Sequence, residues 1–184
     1  QGMRLWENGF GRDKAANLKA YLKGIPKIPE RLVRADPEFP YLTLIDPHLG
    51  LIEACRLIGI EIDERMTDDA AVPRDERYID LKMRHWIRHD DGQRNRGLCP
   101  DACLSACVFE TLAGTALVGA FAFLHHPVII KEGEHMVDLP GTRVCARDGF
   151  CACMRVDAGK PRISFHRSPN FAGPHAGTMR FRKR

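Results

Sequence analysis

No hydrophobic run in this 184-residue chain is long enough to cross a bilayer. The longest, Leu112 to Leu124, lies between Glu110 and the His125-His126 pair and has 13 residues. A spanning helix needs ~20, so this run reads as a buried core helix and no membrane partner is expected. The chain also has no phosphate-cradling glycine loop, nucleophile elbow or zincin motif, so the common motif-borne routes to catalysis are missing. Internal repeats and low-complexity tracts are lacking too, and no charged-then-apolar leader opens the sequence. Gln1-Gly2 ahead of Met3 has the look of a cleaved expression-tag remnant. The expectation is therefore a cytoplasmic protein in which residues 3–184 form one domain.

Acidic residues are absent after Asp157, while seven Lys or Arg residues (Lys160, Arg162, Arg167, Arg180, Arg182, Lys183, Arg184) fall in that stretch. The net charge of +4 is thus concentrated at a basic end. Such an end can touch nucleic acid phosphates, with His166 and Phe171 as stacking surfaces, but no nucleic-acid motif accompanies it. Nucleic-acid binding is therefore the lesser reading.

A hydrophobic fraction of 44% with 28% charged residues is that of a chain that folds around a core. Asp13 as N-cap and Gly24 as stop bracket a short amphipathic helix. Tyr41 to Ile45 reads as a strand, and Asp46-Pro47 opens a helix that carries Leu51, Ile52, Cys55 and Ile58 inward and stops near Gly59. Tyr78 to Arg88 alternates with period two, the mark of a half-buried strand. Pro100-Asp101 opens a helix to about Leu112, and Thr115 caps a second one that Pro127 ends. Beyond Val128 the texture changes to short strands. Asp148-Gly149 predicts a two-residue hairpin, Asp157 to Lys160 a further turn into Arg162 to Arg167, and Thr178 to Arg182 a last strand. The fold class expected is α+β, with a C-terminal antiparallel meander of about four strands packed against the central helices.

Six of the seven cysteines lie between Cys99 and Cys153. An odd count without an export signal points to reduced thiols. Cys99, Cys103 and Cys107 on one straight helix advance ~6 Å per step, so a single ion cannot take all three. If Asp148-Gly149 makes the turn, Ala146 faces Cys151 and Cys145 faces Ala152, which puts Cys145 on the sheet face opposite Cys151 and Cys153. One arrangement survives as a metal site: Cys151 and Cys153 joined by Cys99 or Cys103 from an overlying helix, for zinc or iron. The other reading is plain packing with no cofactor. His85 and His89 stand ~13 Å apart on a strand and cannot share an ion. His125 and His126 end a helix, where capping is the expected role.

Several short segments occur in a familiar order: Gly24-Ile25-Pro26, Glu38-Phe39-Pro40-Tyr41-Leu42, Tyr78-Ile79-Asp80, Asn95 with Pro100-Asp101-Ala102, Thr115 with Gly119 and Pro127, Leu139 to Arg143, and Gly159 to Arg162. In this the chain resembles a family of uncharacterised bacterial proteins classed as a domain of unknown function. The family pattern has an acid three residues after the capping threonine where this chain has Val118, and Gly-Ser-Arg where it has Gly141-Thr142-Arg143. The resemblance implies one domain and supplies no mechanism.

The functional expectation is a binding domain with catalysis left open. A pocket for an anionic small molecule is expected where Arg143 and Thr142 approach His125, His126 and His166, because a guanidinium, a hydroxyl and imidazoles make an anion-binding set.

Overall fold

The computed structural model describes residues 1–64, 66, 78, 83–107, 111–143, 150–165 and 172–182. Its centre is the apolar helix α6, and the other elements are easiest to place by their relation to it. Three short helices come first in the chain, α1 (Gly2–Glu7), α2 (Leu18–Lys23) and α3 (Glu30–Val33), followed later by α4 (Gly50–Ile58), α5 (Pro100–Ser105) and α6 (Ala116–His125). Nine strands form two sheets among the described residues. The first has the order β1 (Tyr41–Ile45), β3 (His85–His89), β9 (Arg180–Arg182), β4 (Thr111–Ala113), with every pairing antiparallel. The second runs β2 (Glu61–Ile62), β7 (Lys160–Phe165), β6 (Cys151–Asp157), β5 (Met136–Arg143), β8 (Ala176–Thr178). In it β5-β6-β7 is an antiparallel meander, while β2 and β8 pair in parallel at its two edges.

The α+β class holds, but the single C-terminal sheet does not: N-terminal strands join C-terminal ones, and the second sheet is mixed. The expected final strand divides at Met179, which is fully buried and hands the chain from β8 in one sheet to β9 in the other. The predicted strand over Tyr78 to Arg88 is shorter, starting at His85, and residues 79–82 lie outside the described set.

Helix α6 buries Ala116, Val118, Gly119, Ala120, Phe121, Ala122 and His125, and so has no solvated side to offer. It packs on α4, on β1 of the first sheet and on β5 and β6 of the second. A helix apolar all round is stable only when enclosed. At Gly119 a Cβ would stand 2.7 Å from Leu139, so glycine lets β5 close on the helix. The ends are capped from three directions. Thr115 Oγ1 accepts from Val118 N at 3.2 Å as expected, and Thr142 Oγ1 accepts from Ala116 N at 2.9 Å. At the other end Arg4 donates to the carbonyls of Leu124 and His125 at 2.9 and 3.2 Å. These are the orphan groups that every helix leaves at its termini.

Two expected caps differ. Asn17 rather than Asp13 caps α2, accepting from Ala20 N at 3.0 Å. Asp46 makes no helix cap, because its carboxylate is taken by Tyr21, Arg84 and His48. Pro47–Leu49 forms a 3₁₀ turn, and α4 starts at Gly50 and ends on left-handed Gly59. Within α4, Leu51 and Cys55 are buried as expected, but Ile52 is exposed. Helix α5 stops at Ser105, well short of Leu112, because residues 111–113 pair with β9 instead. The side-chain amide of Gln1 bridges the edge strand β1, donating to Leu42 O at 2.6 Å and accepting from Leu44 N at 2.7 Å, and α1 begins at Gly2.

The turn joining β6 to β7 puts Ala158 at φ 49° and Gly159 at φ 75°, with Asp157 and Lys160 paired across it. Both central residues are left-handed, the type I′ hairpin geometry that favours Asn-Gly. Ala158 carries a Cβ there at a cost of roughly 1–2 kcal/mol. Ala158→Asn is expected to raise stability by about 0.5–1 kcal/mol in urea unfolding; an unchanged or lowered midpoint would show that the turn is not under this strain.

Candidate functional site

The two faces of the second sheet differ in character. Val137, Leu139, Ala152, Met154 and Ile163 point one way, into the main hydrophobic core. The register sets Ser164 opposite Cys153, Cys153 opposite Asp138, and Asp138 opposite Thr178. Direct cross-strand partners share a face. A row of hydroxyl, thiol, carboxylate and hydroxyl therefore crosses four strands on the side away from the core. All four side chains are nonetheless buried. Cys151 lies two residues from Cys153 on the same face, opposite Arg143. Helix α5 packs over β5 and β8, and its Cys103 sits beside Thr178.

Buried polar groups are costly unless they are compensated, so a sheet face of this kind is the candidate site. The thiols in it are held protonated. Burial pushes Cys153 up to about 11, and burial raises Cys151 and Cys103 as well, with the Asp138 carboxylate adding to the effect at all three. At the rim Arg143 forms an ion pair with Asp101 from the first turn of α5, both side chains being about one-third exposed.

Of the residues expected to make an anion pocket, the structure separates the described ones. Thr142 serves the N-terminus of α6 and His125 lies at its C-terminus, about 14 Å away at 1.5 Å rise per residue. Arg143 belongs with Asp101 near the Thr142 end. His166 lies outside the described residues, as does Phe171. The set converging on Arg143 and His125 is thus corrected: one helix length stands between its two halves.

His126 is the C-cap residue of α6, but its Nε2 donates to Leu42 O of β1 at 3.0 Å, and the capping role falls to Arg4. His125 is 7% exposed, and burial pushes its pKa down to about 3. His89 is fully buried and neutral, with Nδ1 donating to Asp90 O and Nε2 accepting from Thr43 Oγ1, both at 2.8 Å. Burial lowers it to about 4. Tyr41 stacks on His89 and touches His126, closing an aromatic cluster between β1, β3 and α6.

The cysteine expectations divide. Cys151 and Cys153 do share a face with α5 overhead, but Cys107 falls beyond the helix, its thiol donating to the Cys103 carbonyl at 3.3 Å. Cys145, Asp148 and Gly149 lie outside the described residues. Arg143 pairs with Cys151 where Ala146 was expected to do so, a register shift at a bulge between Leu139 and Arg143. Among the described residues no group of three or more His, Cys, Asp or Glu side chains is arranged to hold a metal ion. Of the basic end, Arg180 pairs with Asp90 at 3.1 Å and Arg182 with Asp36 at 3.2 Å, in a strand inside the first sheet, while Arg167, Lys183 and Arg184 lie outside the described residues.

Asp138, Ser164 and Thr178 were not among the site residues expected from the sequence. A signal was present in Lys160 to Phe165, where period two separates Arg162 and Ser164 from Ile163 and Phe165. No family model, curated protein or solved structure matches the chain, so the site rests on its own geometry.

Two predictions follow from this chemistry. In the native protein, Cys99 and Cys107, both partly exposed, are expected to alkylate first, while Cys55, Cys103, Cys151 and Cys153 wait for unfolding; peptide mapping by mass spectrometry reads the order. Early labelling of Cys151 or Cys153 would show the layer to be open.

Stability is expected to fall between pH 6.5 and 4. His89 and His125 have folded pKa values below the ordinary 6.5, so the stability they contribute is present above that value and lost as pH falls toward their folded values. Asp90 acts oppositely, since burial raises it to about 6 and the folded chain takes its proton first. Two protons against one leave a net loss toward acid. His125→Phe should flatten the urea-midpoint profile; an unchanged slope would exclude that imidazole as its source.

Proposed function

We propose that the chain is a binding domain for an anionic small molecule and that Arg143 recognises it. The observation that carries this reading is the position of Arg143 at the rim of a buried polar layer. Among the described residues its one ion-pair partner is Asp101, which arrives on a six-residue helix. A partly exposed ion pair of this kind contributes little to stability, ~0–1 kcal/mol, so a ligand carboxylate or phosphate can take the place of Asp101 at low cost. The guanidinium then presents a planar fork to the incoming oxyanion. The thiols behind it are neutral and do not repel an anion. Exchange at Asp101 also gives α5 a reason to shift when ligand binds, since that contact ties its first turn to β5.

Thr142 orders α6 and thereby fixes where β5 ends, so it acts as a positioning residue for Arg143.

Thermal-shift measurements with phosphate, citrate and short carboxylates provide the test. At least one anion is expected to raise the melting temperature of the parent protein, and Arg143→Ala should weaken its binding about tenfold or more. No shift with any anion, or equal binding by Arg143→Ala, would overturn the proposal.

A further inference from the structure

The chain from Lys19 to Arg34 holds five cations, Lys19, Lys23, Lys27, Arg31 and Arg34, against a single acid, Glu30. All five are exposed, and none has an ion-pair or hydrogen-bond partner among the described residues. The acids that flank the run are taken elsewhere: Asp13 is bonded to His48, and Asp36 and Glu38 both pair with Arg182 of β9. The positive charge of the run is therefore uncompensated within the chain, and a concentrated field of one sign draws an anionic partner.

Strand β3 holds this run in place. Arg84, Trp86 and Arg88 alternate along the strand and its lead-in, so they point to one side, away from Ile87 and His89. Arg84 lies 4.5 Å from the Tyr21 ring of α2, Trp86 Nε1 donates to Pro26 O at 2.8 Å, and Arg88 Nε donates to Leu32 O at 2.9 Å. These successive anchors lay residues 21–32 along the outer side of the first sheet, with Tyr21 and Leu32 buried. On α2, Lys19, Leu22 and Lys23 follow the i, i+3, i+4 spacing and share the face turned from Tyr21.

Exposed apolar side chains are interleaved with the cations. Of the eight large ones exposed among the described residues, Leu22, Ile28 and Val33 belong to the run, and Val33 is 62% exposed. Met83, 77% exposed, precedes the anchor Arg84 and so stands beside them. No aromatic side chain is exposed among the described residues, so the run offers no platform on which a nucleic acid base can stack. Cations with exposed aliphatic chains between them match the surface of an anionic bilayer, where lysine and arginine meet the headgroups and leucine or valine enters the acyl boundary. The lack of a spanning run bears on crossing a membrane and not on resting at its surface.

We infer that residues 19–34 dock the protein on the surface of an anionic lipid membrane. The five cations face the headgroups, and Leu22, Ile28 and Val33 enter the boundary beneath them. The segment shares no residue with the Arg143 site, so the two readings stand or fall separately.

Co-sedimentation of the full chain with phosphatidylcholine vesicles, with and without phosphatidylglycerol, tests the inference. Binding is expected only where phosphatidylglycerol is present, and ~0.5 M salt should release it by screening the exposed charges. Lys23→Glu combined with Lys27→Glu should lower partitioning about tenfold or more, while Lys131→Glu, an exposed reversal outside the run, leaves it little changed. Val33→Ser should weaken binding about threefold or more. All of these side chains are exposed, so each variant should keep the parent melting temperature, which separates lost binding from lost folding. No binding to phosphatidylglycerol vesicles, equal binding to both vesicle types, or full binding by the Lys23→Glu, Lys27→Glu protein would overturn the inference. So would a labelled oligonucleotide that binds the run and is not displaced by the vesicles, which would assign the surface to nucleic acid.

Discussion

Enclosure of α6 is the constraint on which the rest of the structure depends. A helix with Leu117, Phe121, Phe123 and Leu124 among alanines has no polar stripe to present to water, so it must be surrounded. Two sheets and α4 provide that enclosure, and its caps come from α1 and from the end of β5. Because Thr142 is one of those caps, the position of Arg143 follows from the way the helix is capped. Core formation and placement of the candidate site are therefore one event.

The second sheet has its apolar face against α6, and its opposite face remains polar although it too is covered. Cys151 and Cys153 belong to that polar face, while Cys55 alone among the described thiols joins the main core. Buried thiols pushed above their ordinary range behave as small neutral donors. The layer also holds the Asp138 carboxylate, and Arg143 with Asp101 stands at its rim.

Much of the local structure was legible in the chain. Tyr41–Ile45, the Thr115 cap of α6 and the Asp157–Lys160 turn appear where they were read, because each depends on a period or a turn chemistry contained within about ten residues. The early end of α5, the short strand β4 and the break at Met179 were not legible. Each depends on pairing with a distant segment, and Thr111–Ala113 becomes a strand only because β9 is there to receive it. Tertiary pairing of this sort overrides helix propensity. The candidate pocket divided for a related reason. Thr142-Arg143 was expected to approach His125-His126, but the two pairs stand at opposite ends of the same helix axis.

By itself, then, the sequence determined the α+β class, the buried apolar helix and the sharing of one sheet face by Cys151 and Cys153; among the described residues no helix is long and apolar enough to cross a membrane. These follow from composition and periodicity, which act over short stretches of chain. Only the tertiary structure decided that the thiols lie on the face away from the core, that Arg180 and Arg182 are neutralised inside a sheet, and that Arg155 meets Arg162. Those outcomes depend on strand order and register, and register sets a side chain's neighbours through backbone hydrogen bonds to residues that sequence distance does not disclose.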